Sequence, residues 1–195
     1  MSAIAAPSSR KVTNVRPFGW RDKIGYMFGD FGNDFTFMMS AFFLGAFFIK
    51  GMGIDPIAVG TVFLVARFVD AFTDVGMGVL VDRSKPTPAG RFRPWILRGA
   101  IPVSLSMVAI FAMYWFLPVG EAQMGAKIAW MWVTYFLWGS VFYTMINIPY
   151  GSMASAISPE ADDRAQLSVF RSMGASLAGI VISLVVPLIA FQGKE

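Results

Sequence analysis

Pro56–Arg83 reads PIAVGTVFLVARFVDAFTDVGMGVLVDR, an apolar stretch long enough to cross a bilayer that carries Arg67, Asp70 and Asp74 in its middle. A crossing helix needs about 20 mostly apolar residues, so these charges fall inside the hydrocarbon. Their spacings, three residues and then four, put all three side chains on one helix face. Each charge at the bilayer centre costs about 3 kcal/mol on insertion scales, so the trio must face protein or a wet cavity. Two carboxylates one turn apart offer hard oxygen ligands to Na⁺, or acceptors to a proton, with Arg67 balancing charge when the cation leaves. The structural alternative is an ion pair that locks helices together. It needs one acid and leaves the second unexplained.

Composition agrees with a polytopic membrane protein. Of 195 residues 56% are apolar and 14% charged, with 19 Phe and 13 Met, and several long apolar runs recur along the chain. The formal net charge is +4, but the basic residues cluster in the connections between apolar runs, which argues against nucleic-acid binding. Cysteine is absent, which excludes disulfides and thiolate sites. Histidine is absent too, removing the commonest general base and metal ligand. No Walker loop, HExxH or GxSxG replaces them. The expected protein is not an enzyme and needs no cofactor beyond a coupling ion.

Outward from the opening stretch, residues 1–20 read as a disordered cytoplasmic tail, and residues 21–195 as a transmembrane half-bundle. Its helices are expected at about 23–49, 56–82, 94–117, 128–150 and 167–191. In the first, Gly25, Gly29 and Gly32 form a small-residue face for close packing; in the fifth, Gly174, Ala175, Ala178 and Gly179 do the same. Pro118–Lys127 reads as a polar turn and Ile157–Arg164 as a short acidic loop. Lys and Arg concentrate in the tail (Arg10, Lys11, Arg16, Arg21, Lys23) and in the second connection (Arg83, Lys85, Arg91, Arg93, Arg98), against Lys50, Lys127 and Lys194 elsewhere. That bias predicts a cytoplasmic amino terminus. Five spans leave the other end outside, an odd count that reads as a truncated bundle.

Other polar groups at membrane depth admit two readings each. Asp34 beside Asn33 suits a polyhydroxylated ligand, since a carboxylate accepts from adjacent hydroxyls; it also suits a helix–helix hydrogen bond. Asp30 reads as a structural or gating group. Thr144 and Asn147 offer neutral oxygens and an amide, or simply bridge helices. Arg171 either snorkels to the cytoplasmic surface or contacts ligand. Trp132, Tyr135, Phe136 and Trp138 read as lipid or interface residues rather than sugar-stacking platforms. Asp82, Arg83, Arg91 and Arg93 bracket a basic loop that reads as a conformational latch, the gating loop.

GYMFGDFGNDF (25–35), GTVFLVARFVDAFTDVGMGVLVDR (60–83), GRFRPWILRGAIP (90–102), TYFLWG (134–139) and NIPYGSM (147–153) together resemble the glycoside–pentoside–hexuronide:cation symporters of the major facilitator superfamily. The resemblance implies an all-α fold of twelve helices in two six-helix halves, of which this chain would supply five helices of the amino-terminal half. It implies a cation site at Asp70, Thr73, Asp74 and Thr144, and substrate contacts at Asp34, Asn33, Tyr143, Asn147 and Arg171. Four positions depart from the family: Thr73 replaces an asparagine, Asn33 a lysine, Asn147 an acid and Gly151 an aromatic residue. Galactoside specificity is therefore not implied, and a pentoside, a uronide or another glycoside fits as well. The expected function is symport of a sugar or glycoside with Na⁺ or H⁺ across the cytoplasmic (inner) membrane by alternating access. Expected partners are a sugar-like solute, membrane lipid and the carboxyl-terminal half of the same transporter. Two alternatives are a sodium-coupled carrier of a lipid-like amphiphile and a non-transporting membrane scaffold.

Overall fold

The computed structural model describes residues 16–190, so most of the tail expected over residues 1–20 lies outside the described residues. The described residues form helices and no β-strand. α1 is Trp20–Met39, prolonged by two π-helical segments, Ser40–Leu44 and Phe47–Gly51; α2 is Pro56–Arg83; α3 is Arg93–Phe116. α4 is Met124–Phe136, continued through a π-helical segment Leu137–Tyr143 into α5, Thr144–Ile157; α6 is Ala161–Ala190. α2, α3 and α6 are each long and apolar enough to cross a membrane. The other two rods, 20–51 and 124–157, are interrupted by their π-helical segments. The fold is an all-α multi-pass membrane bundle.

Local chemistry sets the helix ends. Asp55 caps α2, its Oδ1 accepting from the backbone N–H groups of Ile57 (2.8 Å) and Ala58 (3.3 Å), with Pro56 in the first turn. At α1 the Asp22 carboxylate reaches back to the Gly19 N–H at 3.0 Å and sits where the helix dipole favours negative charge. Helices overrun their apolar cores where such caps exist. The acidic loop expected over 157–164 shrinks to three residues, because Asp162 and Asp163 occupy the first turn of α6 and Ser158 donates to Asp163 Oδ2 at 2.6 Å. Pro149 lies inside α5, and the helix runs on past Tyr150 to Ile157.

Packing between the rods depends on close approach, because lipid tails leave little hydrophobic drive for helix association. α1 and α6 come nearest: a Cβ at Gly174 would collide with the Met27 carbonyl oxygen. Gly29 faces the Tyr150 ring, where an added Cβ would lie 2.7 Å from Cε2, whereas Gly25 and Gly32 face open space. The expected glycine face of α1 therefore works through one residue. Tyr26 and Tyr150 stack with centroids 4.6 Å apart, and each hydroxyl donates to the other's backbone carbonyl.

Two apolar clusters form, one around Tyr26, Tyr150 and Leu167, the other around Leu44, Phe48, Met52, Val62, Ile110, Met113 and Met131. Along α1, Asp30, Asn33 and Asp34 lie between them. At the far end of the larger cluster, Lys127 corrects its assignment to a polar turn. It is fully buried, and its Nζ donates to the carbonyls of Met52 (3.0 Å) and Gly120, joining the two connections at that end.

Candidate functional site

Between the two apolar clusters lies a polar cavity of about 330 Å³, walled by α1, α2, the α4–α5 rod and α6. It gathers Asp34, Arg67, Asp70, Asp74, Tyr143, Thr144, Asn147 and Arg171, residues that the sequence singles out. They sit in two groups.

The first group joins α2 to the α4–α5 rod. Thr144 donates its hydroxyl to Asp74 Oδ1 at 2.9 Å. One turn earlier, Ser140 donates to Asp70 Oδ1 at 2.5 Å. Arg67 stands 3.8 Å from the other Asp70 oxygen, a loose contact made by a side chain that is 69% exposed. Two carboxylates and two hydroxyls thus share one corner. They supply hard oxygens of mixed charge, which could hold a small cation or a proton. A hydroxyl that gives its hydrogen to a carboxylate keeps lone pairs for an ion.

The second group joins α1, α5 and α6. Tyr143 donates to Asp34 Oδ1 at 3.1 Å, and Asn33 Nδ2 lies within reach of Asp34 Oδ1 (3.2 Å), Asn147 Oδ1 (3.2 Å) and the Tyr143 hydroxyl (3.4 Å). Asn147 Oδ1 also accepts from Arg171 Nη2 at 3.3 Å. Arg171 turns inward: its Nε donates to Asp30 Oδ1 at 3.0 Å, and the guanidinium lies over the Tyr150 ring at 5.4 Å. Asp30 is 1% exposed, so this pair ties α1 to α6 beneath the cavity floor.

Not every candidate lines the cavity. The Thr73 hydroxyl is spent on its own helix, donating to the carbonyls of Val69 and Asp70 at 3.2 Å each. Asn33 lines a neighbouring apolar groove of about 380 Å³ between α1, α3 and α5 and reaches the cavity only through its amide. Asp82 and Arg83 are exposed at the end of α2, and Arg93 opens α3. Among the described residues none of the four loop charges forms an ion pair.

Sequence reasoning missed Ser140, Tyr135 and Trp138. Tyr135 and Trp138 are buried, touch ring to ring at 5.7 Å and line the cavity, which corrects their reading as lipid-facing. Among the described residues the indole Nε1 of Trp138 has no hydrogen-bond partner. Ser140 was accessible from spacing, since it lies four residues before Thr144. It also lies in the π-helical segment Leu137–Tyr143, a wider turn of the kind found at functional sites. There the Gly139 carbonyl takes a second bond from the Thr144 hydroxyl at 3.3 Å.

A family model described as MFS/sugar transport protein matches residues 25–195. Among curated proteins, a glucuronide carrier protein homolog of Escherichia coli K12 is 36% identical over 167 residues, covering 86% of this chain and 35% of that protein. A putative glycoside/cation symporter, YagG, of the same organism is 38% identical over 175 residues, covering 89% and 36%. The isoprimeverose transporter of Lactiplantibacillus pentosus is 33% identical over 193 residues, covering 98% and 38%. The chain spans a little over a third of the length of these relatives.

Proposed function

This chain belongs to the MFS/sugar transport protein family, and from that premise we propose that it supplies the amino-terminal half of a secondary active transporter. In this reading the full-length protein moves a sugar or glycoside together with Na⁺ or H⁺ by alternating access. The observation that carries the proposal is one cavity holding both groups: Asp70 and Asp74, each with a hydroxyl donor, and Asp34 in a net with Tyr143, Asn33 and Asn147. The relatives named as sugar carriers or symporters support it. A cavity lined by acids, guanidinia, an amide and hydroxyls also suits a polyhydroxylated solute better than an amphiphile. A purely structural role leaves Asp74 with no cation facing it among the described ion pairs.

The cycle begins when a cation settles between Asp70 and Asp74, taking lone pairs of the Ser140 and Thr144 hydroxyls and offsetting the cavity's negative charge. Solute hydroxyls then bond to Asp34 and Asn147. The two halves of the full protein rock about the midplane, with the carboxyl-terminal half forming the opposite wall. Cation and solute each tighten the other's binding by the same factor. For a neutral solute moving with one cation, the membrane potential contributes about 2.3 kcal/mol per 100 mV. The Lys and Arg bias supports an amino terminus on the cytoplasmic side of the membrane.

The test is cation-stimulated uptake by full-length protein in vesicles against glycosides, pentosides and uronides. Asp70→Asn and Asp74→Asn are expected to abolish coupled uptake while the protein remains in the membrane. Normal accumulation by both variants would refute cation coupling at this site.

A further inference from the structure

Asp30 is not part of the cavity wall, whereas its ion-pair partner Arg171 is. Asp30 is 1% exposed, and its Oδ1 accepts from Arg171 Nε at 3.0 Å. The pair sits where α1 and α6 approach closely: a Cβ at Gly174, one turn beyond Arg171, would lie 3.1 Å from the Asp30 Cβ. Asp30 therefore has no room to swing. On another side the guanidinium overlies the Tyr150 ring at 5.4 Å. A planar guanidinium held at one edge nitrogen and against one flat face has a fixed plane, so the direction of its Nη2 is fixed too.

Nη2 donates to Asn147 Oδ1 at 3.3 Å, and the same oxygen takes Asn33 Nδ2 at 3.2 Å. Two donors on one oxygen decide which way round the Asn147 amide sits. Turned over, it would set its own NH2 group against Arg171 Nη2, and a guanidinium has no acceptor to offer. The amide oxygen is thus spent inside the bundle, and Asn147 offers its N–H edge to the cavity that it lines. The contacts that set this polarity all lie within α1, α5 and α6. Across the same cavity an ionised Asp34 offers only acceptors. A donor near an acceptor matches two sugar oxygens, one accepting and one giving its hydrogen.

We propose that Asp30 is a positioning residue for solute binding: through Arg171 it fixes the Asn147 amide with its N–H donors toward the solute. The inference rests on the sugar-transport reading and adds to it a residue that touches no solute. Asp30 accepts, Arg171 donates, and Asn147 accepts and then donates onward, so losing the first member leaves the last free to turn. The cation corner is built from other residues, Asp70, Asp74, Ser140 and Thr144, and stands outside this line.

The experiment is calorimetry on purified full-length protein in saturating Na⁺, with methyl β-D-glucoside, methyl β-D-xyloside and methyl β-D-glucuronide; the tightest binder serves as the probe. Na⁺ is titrated separately without sugar. Asp30→Asn and Asn147→Ala are each expected to weaken the probe about tenfold. The double variant is expected to fall no more than about twofold below the weaker single, because both changes remove the same amide contact. Na⁺ binding by Asp30→Asn is expected to stay within about twofold of wild type. Losses that multiply to about hundredfold, or unchanged probe binding in Asp30→Asn, overturn the proposal. Na⁺ binding that falls as far as sugar binding also overturns it, marking Asp30 as purely structural. Should Asp30→Asn not fold, Arg171→Lys runs the same cycle, since an ammonium still pairs with Asp30 but cannot hold Asn147 at the same time. Losses that multiply with Asn147→Ala overturn the proposal there too. Each of these failures leaves sugar transport standing, because the wild type still binds the probe. If none of the three sugars is bound or taken up, both readings fall.

Discussion

Ser140 and Thr144 each hand a hydroxyl hydrogen to one intramembrane carboxylate. A hydrogen bond to a charged group is worth about 1.5–3 kcal/mol, so removing one should be visible in cation affinity. Ser140→Ala and Thr144→Ala are each expected to raise the Na⁺ concentration for half-maximal uptake by about tenfold, measured by titrating uptake with Na⁺. Asp30→Asn acts differently: it strands Arg171 beside a neutral amide. Breaking a buried pair costs about 3 kcal/mol at the lower end of the usual range, the end that applies because Arg171 is partly exposed. Thermal unfolding of the full-length variant should show that loss, and an unshifted transition would mean that Asp30 is not the anchor of α6. The acids were legible from sequence because charges within an apolar run demand a reason. Ser140 was marked only by its spacing from Thr144, a faint signal because a mid-helix hydroxyl commonly bonds its own backbone, as Thr73 does here.

The all-helical, multi-pass character was legible in alternating apolar runs and turn residues, but the helix ends were not. Caps such as Asp55, and the Ser158–Asp163 contact, extend or start helices where hydropathy has already fallen. The π-helical segments were also invisible, since nothing in SAFFL, FFIKG or LWGSVFY departs from ordinary helical composition. Glycine patterns mark close approach without saying which glycine makes it. Gly174 does, against α1. Gly174→Leu is expected to separate α1 from α6 and sharply reduce the yield of folded protein, while Gly25→Leu, in open space, should not. Detergent-resistant monomer on size exclusion distinguishes the two, and equal yields would contradict the packing described.

Across the whole molecule, two apolar clusters bracket one polar layer, and that layering divides the labour. Asp34→Ala is expected to weaken solute binding more than cation binding, and Asp74→Asn the reverse, each read by separate titrations of solute and Na⁺. Lys127 shows the same layering at its edge. Because its amine is buried among backbone carbonyls, it adds nothing to the charge displayed on that face of the bundle, where Lys50 stands exposed. A bilayer-impermeant acylating reagent supplied from that face should tag Lys50 and pass over Lys127. Chemically, the latter is a silent lysine: a rivet between two turns that only unfolding would reveal.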